Sequence, residues 1–401
     1  MIDGGPARRV MVVYGTRPEA VKLAPVVRAL RADPLIEPLV VVTGQHRSML
    51  DQVNEQFGIY PDHDLDIISS QQSLEEITVR TLAGLRPLLL NELPHALLVQ
   101  GDTTTTFASA LAAFYHQVPV VHLEAGLRTG DVTSPFPEEM NRRMVTRLAA
   151  LHLAPTATSQ ANLLDEGVDP TTVVVTGNTV IDALLSVAAA DRPFEDPLLR
   201  GIDVDPRRVV LVTTHRRESW GAPMAGVGQA LARVARRHPD VLVVLPLHRN
   251  PRVRQALLPA LESVDNVLVV EPASYPDFVR LMARSTIVVT DSGGVQEEAP
   301  SLGSPVLVLR DNTERPEAVA AGTACLVGTD PARVEAAIER LLTDPAAHAA
   351  MARASNPYGD GQAAARTVQA IRHLFGYGPL PMPFEAGAPP WLAQPLAVLG
   401  S

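Results

Sequence analysis

The sequence predicts an α/β protein built from two doubly wound domains, and three observations carry this. Short apolar, β-branched runs alternate with longer amphipathic stretches, the pattern of βαβ units around a parallel sheet. The alternation breaks between Val187 and Arg207, where Pro and Asp crowd the chain, and then starts afresh. A length of 401 residues is too great for one ordinary core and suits two.

The first half opens with strand Val10–Tyr14, helix Val21–Leu30 and strand Pro38–Thr43. Helix Leu74–Asn91, strand Ala96–Gln100, a helix over Ser109–His116 and strand Val118–Leu123 follow, then strands Leu151–Ala154 and Val173–Val175. The second half has strands at Val209–Thr213, Val241–Leu245, Val267–Val270, Ile287–Thr290, Val306–Leu309 and Ala324–Val327, separated by helical pattern. Residues 1–186 are thus expected to form an N-terminal domain and 187–361 a C-terminal one. Helix Gln362–Phe375 is last, and the Pro-, Gly- and Ala-rich tail 376–401 is assigned no structure.

Composition bounds what such a chain does. Hydrophobic residues at 46% and charged residues at 19% suit a soluble, well-buried protein. A net charge of -10 argues against wrapping nucleic acid, though a mononucleotide in a locally basic cleft is compatible with it. The single cysteine, Cys325, excludes an internal disulfide and a cysteine-rich metal cage, and its apolar neighbours make it a small core residue. The polar start Met1–Arg9 shows no signal peptide, and no apolar run reaches membrane-span length, so a cytoplasmic protein with no membrane partner is expected. Gly226-Val227-Gly228 and Gly359-Asp360-Gly361 follow no strand, which rejects them as dinucleotide fingerprints. Walker-type, metalloprotease and Gly-x-Ser-x-Gly patterns are absent, so neither a metal nor a cofactor is expected.

In doubly wound domains the loops after the strands carry the ligand, and two such domains place an active-site cleft between the carboxyl ends of their sheets. After the first strand comes Gly15-Thr16-Arg17-Pro18-Glu19, a turn whose glycine and following helix suit a phosphate, with Arg17 as a guanidinium and Lys22 as a point charge. A capped turn with Arg17 in a surface ion pair explains it equally well. Gly101-Asp102-Thr103 and Glu124-Ala125-Gly126-Leu127-Arg128 follow later strands, and Pro137-Glu138-Glu139 leads to Asn141 and Arg142. Asp102, Glu124 and Glu138 are therefore expected to converge, and close like charges share protons and yield an acid and a base near neutrality. The structural alternative has Asp102 capping the next helix and Glu124 paired with Arg128.

In the second half, His215-Arg216-Arg217-Glu218 suits a diphosphate, against a solvated charge run as the plain alternative. Asp291-Ser292-Gly293-Gly294 opens a helix and reads as a phosphate-cradling turn, with Glu298 one turn on to accept ribose hydroxyls. Arg310 to Glu317, with Arg315, forms another polar loop there, and His248 stands between a site residue and a structural histidine.

Taken together these loops resemble the non-hydrolysing UDP-N-acetylglucosamine 2-epimerases. Thr176-Gly177-Asn178-Thr179, Thr313-Glu314-Arg315-Pro316 and Asn356-Pro357-Tyr358-Gly359-Asp360-Gly361 complete the set, which runs in order from residue 15 to about residue 361. The resemblance implies a glycosyltransferase-B-like pair of Rossmann-like domains, a homodimer, and a last helix returning to the N-terminal domain. It implies C2 epimerisation of UDP-N-acetylglucosamine to UDP-N-acetylmannosamine by loss and re-addition of UDP through a 2-acetamidoglucal. By position, Asp102, Glu124 and Glu138 are the acid–base carboxylates, and His215 and Arg17 meet the departing UDP with Lys22 nearby. Ser292, Gly293, Gly294 and Glu298 hold diphosphate and ribose, Arg142 joins the binding set, and Arg315 closes the site. Many bacterial members bind a second substrate molecule as activator. Gln45 and His46 match that pattern, with Arg216 as a possible further remnant, but Ser48 and Gln71 stand where a longer polar side chain and an arginine are expected. The rivals are a hydrolysing 2-epimerase, a nucleotide-sugar glycosyltransferase and a sensor that binds without turnover.

Overall fold

The computed structural model describes residues 7–44, 47–68 and 72–387, with only the helical backbone given for residues 47–49. The chain divides into two compact units, one running to Ala183 and completed by Tyr358–Glu385, the other spanning Leu184–Pro357.

The first unit holds strands β1 (Arg8–Tyr14), β2 (Ile36–Val42), β3 (His63–Asp64), β4 (Ala96–Gln100), β5 (Val120–Leu123), β6 (Ala149–Ala154) and β7 (Val173–Val175). They form one parallel sheet in the order β3-β2-β1-β4-β5-β6-β7. Val10 to Tyr14 and Ala96 to Val99 are buried on both sheet faces, which is why these strands read as unbroken apolar runs. Helices Leu74–Glu92 and Thr104–Tyr115 seal one side through Leu85, Leu89, Ala110, Ala112 and Ala113.

The second unit holds β8 (Arg208–Thr213), β9 (Val241–Pro246), β10 (Val267–Val270), β11 (Ser285–Thr290), β12 (Val306–Val308) and β13 (Ala324–Leu326), parallel and ordered β10-β9-β8-β11-β12-β13. Helices Ala222–Arg237, Pro251–Leu261 and Pro331–Thr343 cover it with Leu231, Val234, Leu257, Val334 and Ile338. The Pro- and Asp-rich stretch after Val187 packs onto this unit: Asp277 accepts from the Glu195 and Asp196 amides, and Phe194, Leu199 and Ile202 are buried.

Three expectations need correction. Cys325 is exposed, not in the core, because β13 is a short edge strand that turns Ala324 inward and Cys325 outward. The helix after β4 starts at Thr104 rather than Ser109, since the Thr103 hydroxyl caps it by accepting from the Thr106 amide. The first part of the tail is folded: Phe384 is buried and its amide bonds the Val175 carbonyl. The last helix, Ala363–Leu374, lies in the first unit, where buried Asp182 accepts from the amides of Ala363 and Ala364. Among the described residues no helix is long and apolar enough to cross a membrane.

Candidate functional site

Each sheet reverses its winding once, between β1 and β4 in the first unit and between β8 and β11 in the second. Loops diverge at such a point and leave room for a ligand at the carboxyl ends of the strands.

In the first unit the β1 loop turns into helix Arg17–Arg31 through a capping box of Thr16 and Glu19. Glu19 is buried and accepts from the Gly15 and Thr16 amides at 3.0 and 2.8 Å, and from the Thr103 and Thr106 hydroxyls at 2.7 and 3.0 Å. One side chain thus brackets the loops after β1 and β4. Burial pushes the Glu19 carboxyl above the usual range, against the pull of the Gly15 amide and the three threonine hydroxyls. Arg17 is exposed and makes no ion pair among the described residues.

Lys22 reaches across to Glu124, its Nζ 2.5 and 2.6 Å from the two carboxylate oxygens. Gln100 and Asn178 also donate to Glu124, which is buried. Glu124 has φ 64, a backbone region that non-glycine residues rarely occupy and that concentrates at functional sites. Asp102 accepts from Arg142 through Nε at 2.8 Å and lies 2.7 Å from its Nη2, while the Asn141 amide group holds the Asp102 carbonyl. Glu138 opens helix Glu138–Leu148, half-buried and with no hydrogen-bond partner among the described residues. All three carboxylates follow strands at the carboxyl end of the sheet, and Asp102 and Glu124 are each met by a cation, Arg142 and Lys22.

Both structural alternatives fail here. Thr103, not Asp102, caps the next helix, and Arg128 pairs with Glu166 at 2.6 and 2.8 Å instead of with Glu124. Beneath the Asp102 loop, His122 is fully buried and its Nε2 lies 2.8 Å from the Gly101 carbonyl. Burial pushes the imidazole down to about 4 despite that carbonyl, so it is neutral at pH 7 and donates through Nε2.

In the second unit the β8 loop delivers His215 and Arg216 beside the β11 loop. Asp291, fully buried, accepts from the Thr214 hydroxyl at 2.7 Å and from the His215 and Arg216 amides at 2.8 and 2.9 Å. The His248 ring stacks on His215 at 5.9 Å between centroids, and its Nδ1 accepts from the Asn250 amide. Ser292 sits at the start of helix Gly293–Glu298; a Cβ on Gly293 would meet nothing within 4 Å, so the space over this turn is open. Glu298 is buried and accepts from the Tyr275 hydroxyl at 3.3 Å. Arg315 bonds Glu297, which is buried.

Arg310 carried no role in the sequence reading. Its side chain is buried, with Nε 3.3 Å from Glu218 and Nη2 3.7 Å from Glu314, which itself lies 3.7 Å from Arg216. It knits the β12 loop to the β8 loop, and its place directly after a strand was the signal for it. Gln45, His46 and Gln71 lie outside the described residues, as does the side chain of Ser48.

Comparison with known proteins follows the same line. The family model for UDP-N-acetylglucosamine 2-epimerase matches residues 28–372. A UDP-N-acetylglucosamine 2-epimerase of Escherichia coli K12 is 51% identical over 91% of this chain and 98% of its own. The Neisseria meningitidis UDP-GlcNAc 2-epimerase, solved bound to UDP-GlcNAc, superposes with a TM-score of 0.81 at 46% identity, covering 91% of this chain and all of that one. S. aureus MnaA, solved with UDP, gives a TM-score of 0.83 at 42% identity over 94% of this chain and 100% of that one.

Proposed function

This chain belongs to the UDP-N-acetylglucosamine 2-epimerase family, and from that premise we propose that it interconverts UDP-N-acetylglucosamine and UDP-N-acetylmannosamine without releasing free sugar. The supporting observation is the pairing of Glu124 with Lys22 and of Asp102 with Arg142, a residue of the helix that Glu138 opens, at the carboxyl end of the first sheet.

In the proposed reaction a carboxylate takes the C2 proton while the C1–O bond breaks and its electron pair leaves with UDP. The former C2–H pair becomes the C1–C2 double bond of 2-acetamidoglucal. Return of a proton to the opposite face of C2 and of UDP to C1 gives the epimer. Acid and base on opposite faces need at least two carboxylates. Asp102 and Glu124 already carry Arg142 and Lys22, which makes Glu138 the carboxylate free to move a proton. Arg17, His215 and the Ser292–Gly294 turn would bind the diphosphate, Glu298 the ribose, and Arg315 would reorganise from Glu297 as the ligand binds. We further propose a cytoplasmic homodimer that uses neither metal nor redox cofactor.

The deciding experiment incubates the protein with UDP-N-acetylglucosamine in D2O with EDTA and no nicotinamide, followed by proton NMR. Deuterium at C2 with UDP-N-acetylmannosamine is the expected result. Free UDP with free N-acetylmannosamine would instead mark a hydrolysing enzyme, and absence of exchange and product would overturn the proposal. Because Ser48 and Gln71 replace a longer polar side chain and an arginine in the family pattern, we also propose weak or absent activation by substrate. Kinetics should be hyperbolic; sigmoidicity abolished by Gln45→Ala or His46→Ala would refute this.

A further inference from the structure

β8 and β11 are neighbours in the second sheet, with Thr213 opposite Thr290 and their hydroxyls 2.7 Å apart. The residue just after β11 is Asp291, whose amide bonds the Thr213 carbonyl and whose side chain is therefore delivered under the β8 loop. All three donors already described, from Thr214, His215 and Arg216, converge on Oδ2. The other oxygen, Oδ1, lies 3.0 Å from His215 Nδ1. Arg216 Nε donates to the Asp291 carbonyl at 3.2 Å, closing the loop over the same residue.

We propose that Asp291 is a positioning residue for His215, holding the proton on Nδ1 so that Nε2 is the ring nitrogen presented to ligand. Oδ1 is buried and has no aligned hydrogen bond among the described residues, and a carboxylate oxygen only accepts, so the imidazole nitrogen 3.0 Å away satisfies it only as a donor. The partner of one ring nitrogen dictates the state of the other. Asp291 is suited to this: burial raises its carboxyl, but the contact with His215, the Arg216 amide and the Thr214 hydroxyl outweigh burial and leave it below the usual range. The ring itself is confined, since His248 stacks on it with 27° between planes, while the His215 side chain remains 44% exposed. With Nδ1 turned inward, the exposed edge carries Nε2. As imidazolium it donates to a departing diphosphate, and as neutral imidazole it accepts the proton back. The same carboxylate thereby sets the loop's backbone and the ring's tautomer, a coupling no other residue in the second unit supplies among those described.

What His215 does in turnover rests on the proposed epimerase reaction; how it is held does not. The test is nitrogen NMR on the full chain labelled at histidine, with the His215 signals assigned by their loss in His215→Gln. The expected wild-type spectrum shows Nδ1 protonated and Nε2 shifting on addition of UDP. In Asp291→Asn the Nδ1–H preference should be lost, and kcat should fall by about 10²–10⁴-fold, as for other histidines stripped of their orienting carboxylate. KM should stay within about threefold, a split that simple loss of structure would not give. An Nε2–H tautomer in the wild type would overturn the proposal, and so would an unchanged tautomer and kcat in Asp291→Asn. If Asp291→Asn fails to fold, the wild-type tautomer alone decides. An Nδ1–H tautomer in a protein that shows no epimerisation would leave this proposal standing and remove the reaction instead.

Discussion

Lys22 and Glu124 are 102 positions apart in the chain and meet because β4 alone lies between β1 and β5, the strands that precede them. Their side chains are 18% and 6% exposed, so each charge depends on the other for what water no longer provides. Lys22→Met should therefore cost about 3 kcal/mol in urea unfolding, because it takes from a buried carboxylate the cation that meets both of its oxygens. Adding Glu124→Gln should recover most of that loss, since no buried charge then stands alone. Equal losses in the single and double variants would show that the pair is not coupled. Glu138 is the contrasting case, half-buried and without a protein partner among the described residues. Glu138→Gln should leave stability and UDP affinity close to wild type while lowering kcat by about 10²–10⁴-fold, the usual weight of a positioned acid or base. Calorimetry with UDP beside a turnover assay separates the two effects.

Gly126 shows how one position governs an element. It has φ 90, and a Cβ there would lie 2.1 Å from the Ser159 carbonyl oxygen, a backbone atom that cannot step aside. Gly126→Ala should destabilise the first unit by about 3 kcal/mol or more, read as a lower urea midpoint, and should disturb the Glu124 loop immediately before it. Every strand but β3 was legible to within a few residues because a doubly covered parallel sheet writes continuous apolar runs, whereas β3 is only the polar pair His63–Asp64 at the sheet edge. Helix starts were less so. The Thr103–Thr106 run looks like loop or strand by propensity, and only the Thr103 hydroxyl on the Thr106 amide turns it into a helix start. Cys325 was misplaced because local composition does not say which strand is the sheet edge. The site loops were legible as polar segments after strands, yet their partners were not. Glu19 with Thr103, Arg310 with Glu218 and Asp291 with His215 all depend on strand order, which pairs segments distant in sequence.

At the scale of the whole chain, the last helix is bound to the first unit through a polar junction. Asp182, buried, accepts from Ala363 and Ala364 at 3.2 and 2.8 Å, and Arg366 pairs with Asp360 at 2.7 Å beside it. Burial raises Asp182 from 3.8 to about 6, with the two amides opposing and the Asp360 charge adding to the rise. A carboxyl whose folded value lies above its unfolded one binds its proton more tightly in the native state. Its contribution is therefore fully present below about pH 4 and is lost as pH rises through about 6. At about 1.4 kcal/mol for each unit of difference, the swing is about 3 kcal/mol. Asp182→Asn keeps an acceptor for one amide but cannot ionise, so the stability of the wild type relative to this variant should decline between pH 4 and 7 by roughly that amount. Urea unfolding of both proteins across that range, followed by a probe in the first unit, measures the difference directly. A gap between the two that is flat in pH would mean that Asp182 titrates as it does in the unfolded chain and that the helix is held by packing of Val368 and Ile371 alone.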